Sequence, residues 1–198
     1  VGVQAGEWPQ ILGPDRNGVA AADERLEHSY AVAASEAGVD PQAIDDGRSA
    51  ILDAFVDAGG TMIDTADVYS IFVPGNHGGE SETVIGEWMQ ARGNRDKVVV
   101  ATKVGRHPEF PGLSARNIIE AVDASLERLQ SDHIDLLYFH AEDPDVSLEE
   151  SLSAVETLMQ AGKVRALGAS NFSADRLLEA RIAAGSGLPR FEAIALEY

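Results

Sequence analysis

Five short apolar runs, each separated from the next by a helix-period segment, constrain this chain more than any other feature. TMIDTA at 61–66, KVVVATKV at 97–104, HIDLLYFH at 133–140, KVRALGAS at 163–170 and FEAIALEY at 191–198 read as strands, and KVVVATKV is apolar enough to be covered on both faces. Between them, apolar residues recur every three or four positions. RSAILDAFVDAGG, from residue 48, puts Ile51, Leu52, Phe55 and Val56 on one side and stops at Gly59 and Gly60. ESETVIGEWMQ at 80–90 does the same with Val84, Ile85, Trp88 and Met89, and Gly93 ends it. Ser114 caps a helix bearing Ile118, Ile119, Val122, Leu126 and Leu129. Ser147, with Glu150 three positions on, has the form of a capping box for a helix through Gln160, and a further helix begins near Ser173. Short strands alternating with helices imply parallel βαβ units of the α/β class, either a doubly wound sheet or a (β/α)8 TIM barrel.

The first 45 or so residues break this rhythm with Gly6, Pro9, Gly13, Pro14 and Gly18, so a first strand is not placed. SYAVAASEAG at 29–38 has the character of a short helix, but its apolar residues are too uniformly small to define a buried face.

Composition narrows the function. The 198 residues contain no cysteine, which removes disulfides, thiolate catalysis and thiolate metal sites and fits a reducing, cytoplasmic setting. No apolar run reaches the roughly 18 residues that span a bilayer. A net charge of −18 repels polyphosphate backbones, so neither nucleic acid nor membrane is an expected partner. A small phosphorylated cofactor is still compatible, because local amides and a few basic side chains can bind it against an unfavourable global field. The five histidines lack the clustered spacing of a metal-dependent hydrolase, and no metal is expected. No GxGxxG string marks an ordinary dinucleotide fold.

The polar residues stand where a barrel builds its active site. Counting an unplaced first strand, Asp64 ends the second, Lys103 the third, His140 the fourth, and Ser170 with Asn171 the fifth, while Tyr69 follows Asp64 in the next loop. Singly, each has a plainer role: Asp64 a turn or cap, Tyr69 a loop anchor, Lys103 a structural ion pair, His140 a satisfied core histidine, Ser170 and Asn171 helix caps. Together they describe a proton donor. Lys103, held cationic by Asp64, favours the phenolate of Tyr69, so that the phenol can protonate a carbonyl oxygen while His140 orients that oxygen. Hydride then comes most economically from a nicotinamide, whose carboxamide needs fixed polar partners such as Ser170 and Asn171.

The strings GGTMIDTADVYS, GGESETVIGEW, RDKVVVATKVG, LERLQSDHIDLLYFHAEDP and GKVRALGASNFS resemble the aldo/keto reductase family, across roughly residues 48–198. The resemblance implies a (β/α)8 barrel that binds NADPH, less often NADH, and reduces an aldehyde or ketone. The loop YSIFVPGNHGGESE resembles the subgroup of sugar-aldehyde and potassium-channel beta-type reductases. By position, Tyr69 matches the general acid, Asp64 and Lys103 its charged partners, His140 the substrate-orienting histidine, and Ser170 with Asn171 the carboxamide-binding pair; Asp64 also borders the cofactor. Asp143 in HAEDP matches a nearby acidic position or a loop cap, and Trp88 is assigned to packing.

Three departures bear on function. Residues 1–47 lack the family's glycine-bearing opening strand, and Ala195 stands where a glutamine usually contacts the carboxamide. The string also ends at Tyr198, before the seventh and eighth strands and the segment that grips the adenosine 2′-phosphate, so residues 1–198 are expected to form a single, partial barrel domain without reductase activity of its own. A regulatory barrel that binds cofactor without turning over, like the potassium-channel beta subunits, is the competing class. Substrate identity and self-association stay open.

Overall fold

The computed structural model describes the backbone of residues 41–196 and the side chains of residues 47–196. The helix expected at 29–38, the unplaced first strand, Glu197 and Tyr198 lie outside the described residues. Residues 49–196 belong to one compact unit. The described elements alternate: α1 (Pro41–Asp57), β1 (Met62–Asp64), α2 (Glu80–Arg92), β2 (Val99–Val104), α3 (Ala115–Arg128), β3 (Ile134–Phe139), α4 (Leu148–Gln160), β4 (Val164–Ser170), α5 (Ala174–Ala184) and β5 (Phe191–Ala195).

Helix α1 begins at Pro41 rather than near residue 48, and proline suits a first helical position because the amide it lacks would have had no partner there. Ser114, Ser147 and Ser173 cap α3, α4 and α5, their hydroxyls accepting from the amides of Asn117, Glu150 and Arg176. Only half of the expected capping box forms. The Glu150 carboxylate accepts from the Ala115 amide at 2.9 Å, tying the start of α4 to the start of α3.

All five strands are parallel and lie side by side in sequence order, β1-β2-β3-β4-β5. A doubly wound sheet reverses its strand order at a switch point, whereas a (β/α)8 barrel does not, so this is part of a barrel wall. Register decides which side chains share a face. Asp64 pairs with Ala101, Lys103 with Tyr138, Tyr138 with Gly168, and Ser170 with Ala195. Because successive side chains alternate, Asp64, Lys103, Tyr138, His140, Gly168 and Ser170 all fall on one face.

The opposite face carries Ile63, Val100, Val104, Leu137, Phe139, Leu167 and Ala169, buried under the helices. Phe139, Phe172 and Phe191 pack there edge-to-face and stacked, with centroids 5.2–6.4 Å apart. Trp88 is 2% exposed and donates its indole N–H to Asp53 at 2.8 Å, which makes it a packing residue pinning α2 to α1.

Helix α2 approaches the end of α3 closely enough that a Cβ on Gly86 would lie 2.3 Å from the Arg128 carbonyl oxygen and 2.7 Å from the Leu129 carbonyl carbon. Both obstacles are backbone and do not swing aside. Alanine gains about 1 kcal/mol of helix propensity over glycine, but overpacking a tight contact costs more. Gly86→Ala is therefore expected to destabilise the fold by about 1–3 kcal/mol in chemical denaturation. An unchanged or raised stability would contradict this helix packing.

Candidate active site

The site is organised by one buried cation. Lys103 is 5% exposed near the end of a strand otherwise lined with apolar residues, and its ammonium spends all three donors: on Asp64 Oδ2 at 2.5 Å, the Thr65 carbonyl at 2.8 Å and the Tyr69 hydroxyl at 2.9 Å. It also lies 4.7 Å from the Tyr69 ring centroid. The Asp64 side chain is half exposed, so the ion pair reaches from the protein interior to the mouth of the sheet.

Local backbone explains the convergence. The parallel ladder continues past β1, the Thr65 amide bonding to Ala101 and the Asp67 amide to Lys103. The chain then turns, Tyr69 N–H to Ala66 at 3.2 Å, and the loop closes when Gly79 N–H reaches the Tyr69 carbonyl at 3.2 Å. Ser70, directly after Tyr69, is buried with φ at 73°, an uncommon conformation for a residue with a side chain. Its carbonyl accepts from Asn76 Nδ2 at 3.1 Å, which helps hold the turn.

His140 extends β3 by one residue, its amide bonding to Val104, and its ring meets Tyr69 edge-on with centroids 6.0 Å apart. Burial, then the positive charges of Lys103 and Arg106, push its imidazole down to about 4. The ring is thus neutral at physiological pH and able to donate one N–H to a ligand oxygen. Its Nδ1 is buried without a partner.

Ser170 is buried at the end of β4, and Asn171 follows it with φ at 56°, a left-handed turn that asparagine tolerates. Asn171 Nδ2 donates to the His140 carbonyl at 3.0 Å and to Ser170 Oγ at 3.1 Å, linking the ends of β3 and β4. Asp143 lies apart from this group: its carboxylate accepts from the Leu113 and Asp145 amides, the loop-capping role.

Sequence reasoning missed three neighbours. Tyr138 lies level with Lys103 on the same face, and burial followed by the Asp64 charge raises its phenol above the ordinary range. Gly168 admits that ring, since a Cβ there would lie 2.4 Å from the Tyr138 ring. Their signal was alternation, each standing two positions before a residue already singled out. Asp67, fully buried on the helix side, had no comparable signal.

By register Ala193 and Ala195 stand beside Gly168 and Ser170, on the face that carries Lys103. Among the described residues no group of three or more His, Asp or Glu could hold a metal ion, and no helix is long and apolar enough to cross a membrane.

This combination of barrel wall and Lys–Asp–Tyr–His mouth agrees with a family-level match. The aldo/keto reductase family model matches residues 37–198. The chain belongs to the aldo/keto reductase family. Aldo-keto reductase YhdN of Bacillus subtilis (strain 168) is 39% identical over 128 residues, 63% of this chain and 37% of that protein. The NADP(+) aryl-alcohol dehydrogenase of Phanerodontia chrysosporium is 38% identical over 134 residues, 61% of this chain and 33% of that enzyme. A crystal structure of an aldo-keto reductase from Klebsiella pneumoniae in complex with NADPH is 33% identical, with a TM-score of 0.60 over 71% of this chain and 44% of that one. This aldo/keto reductase chain therefore matches less than half the length of each of these proteins.

The depressed His140 value has a measurable consequence. Since its folded value lies below its unfolded one, the folded form loses stability as pH falls from about 6.5 through about 4, where the buried ring must accept a charge. A nitrogen-detected NMR titration should place the His140 midpoint near pH 4. An ordinary midpoint near 6.5 would show that the ring is not held dry beside Lys103.

Proposed function

We propose that the protein is an NADPH-dependent oxidoreductase that reduces an aldehyde or ketone to the alcohol, with Tyr69 as the general acid. The observation that carries this is the Lys103 ammonium donating to the Tyr69 oxygen at 2.9 Å. A phenol oxygen that accepts from an ammonium keeps its own O–H for another partner, and the adjacent cation stabilises the phenolate left when that proton departs. Asp64 pairs with the Lys103 ammonium and keeps it pointed at Tyr69. The Thr65 carbonyl fixes the third donor, so that the ammonium has one orientation.

Catalysis then follows from placement. Neutral His140 donates one N–H to the carbonyl oxygen and sets it beside the Tyr69 hydroxyl, and the two donors stabilise the negative charge that develops on that oxygen. The buried neighbours Tyr138 and Ser170 help exclude water from that side. NADPH, when bound, supplies the hydride to the carbonyl carbon. Ser170 and Asn171 are the polar groups suited to hold its carboxamide, and the neighbouring Ala193 and Ala195 are small. The absence of a side-chain amide at Ala195 leaves more of that task to Asn171. The relatives' names, an NADP(+) aryl-alcohol dehydrogenase and a structure in complex with NADPH, support the choice of cofactor.

The test is substitution in the whole protein. Tyr69→Phe should lower single-turnover reduction of a reactive aromatic aldehyde by roughly 100-fold or more while leaving NADPH affinity nearly unchanged. Lys103→Met should slow reduction as well, because the phenolate loses its cation. Undiminished hydride transfer in Tyr69→Phe would remove Tyr69 from the acid role. NADPH binding by the native protein without turnover of any carbonyl would favour the regulatory barrel instead.

A further inference from the structure

Among the described residues two carboxylates are completely buried, Asp67 and Glu82, and they are treated very differently. Glu82 is satisfied, accepting from Thr102 Oγ1 at 2.5 Å and from Arg128 Nε at 2.7 Å. Asp67 has both oxygens sealed from solvent, and neither completes a hydrogen bond. The nearby Gly105 amide favours its charged form without completing a hydrogen bond.

The cations that face it are already committed. Arg128, from α3, is bound to Glu82 and to Ser125 Oγ, and Lys103, from β2, to Asp64, Thr65 and Tyr69. Glu82, from α2, adds a like charge. His107, from the segment after β2, packs on the other side of Gly78, where a Cβ would lie 2.7 Å from the imidazole and 3.2 Å from the Asp67 carbonyl. Two ion pairs thus surround a third carboxyl that has no counter-charge of its own. An unpaired buried carboxylate is costly, and the group resolves this by keeping its proton. Burial first, then the Glu82 charge, push Asp67 up to about 8, against the opposing pull of Arg128 and Lys103.

Asp67 is also the pivot of the Tyr69 turn. Its amide makes the last ladder bond to Lys103, at 3.0 Å, and Tyr69 follows two residues later. We propose that Asp67 is a positioning residue for Tyr69: its unpaired carboxyl, sealed between the sheet and the Glu82–Arg128 pair, holds the 65–70 turn closed only while it carries a proton. This rests on the reductase role of Tyr69. Once ionised, the carboxylate draws Arg128 from Glu82 or pulls the turn toward water, and either movement shifts Tyr69 relative to Lys103. The folded value is raised, so the closed turn is present throughout the acid and neutral range and is lost as pH rises through about 8. The effect falls on kcat, because Tyr69 acts in the proton transfer while the carboxamide-binding pair, Ser170 and Asn171, lies at the end of β4.

The experiment follows the Asp67 carboxyl carbon and the amide resonances of Tyr69 and Gly79 from about pH 6 to about pH 10, in the native protein and in Asp67→Asn, which mimics the neutral acid and does not ionise. In the native protein the carboxyl and both amides should step together with a midpoint of about 8. In Asp67→Asn the amide step should vanish. Over the same range, native kcat for aldehyde reduction should fall by roughly tenfold with KM for NADPH unchanged, and the variant should be flat there. A carboxyl already ionised at the start of the titration, or an amide step that persists in Asp67→Asn, overturns the proposal. If the variant does not fold, the native titration decides alone, since a carboxyl step without an amide step also overturns it. Absence of turnover at every pH would sink the reductase function while leaving the resonance result to decide the role of Asp67.

Discussion

The ammonium of Lys103 must find three acceptors inside a wall of apolar side chains, and most of the site's architecture follows from that requirement. A cation 5% exposed is tolerable only if every donor is used. The three acceptors come from one short stretch, Asp64, Thr65 and Tyr69, and each needs a different feature of the backbone. Asp64 is the last residue of β1, the Thr65 carbonyl belongs to the extended ladder beyond it, and Tyr69 arrives through a turn that Ser70 closes with a positive φ. Satisfying Lys103 therefore fixes the position of the Tyr69 phenol.

Alternation along the strands separates two electrostatic compartments. Facing the mouth are Asp64, Lys103, Tyr138, His140 and Ser170; facing the helices are Thr65, Thr102, Glu82, Arg128 and Asp67. The Glu82–Arg128 pair ties α2 to α3, with Glu82 reaching back to Thr102 on β2. Gly79 packs closely against the Arg128 side chain and Gly86 against the backbone of Arg128 and Leu129. An ion pair behind the sheet and a second one in front leave Asp67 between two committed cations.

Much of this was legible in the sequence because it is local. Strand ends, three serine caps and the polar residues terminating each strand are written within a few positions of one another, and register then brings Asp64, Lys103, His140 and Ser170 to one face. What escaped depends on distant partners. Glu82 and Arg128 are 46 positions apart, and neither carries a local sign of being buried with the other. Glu150 has the spacing of a capping box but finds the Ala115 amide 35 positions away. The start of α1 was hidden because PQAIDDG offers too few apolar residues to show a period, and Asp67 because an aspartate after a strand usually looks like a turn residue.

The most direct measurement is the structure of the whole protein bound to NADP+ and a carbonyl-containing inhibitor. The inhibitor oxygen should lie about 2.6–3.2 Å from the Tyr69 hydroxyl and within reach of a His140 nitrogen, with the Lys103 contacts intact. An inhibitor oxygen held by other groups, with Tyr69 well beyond hydrogen-bonding distance, would contradict the account.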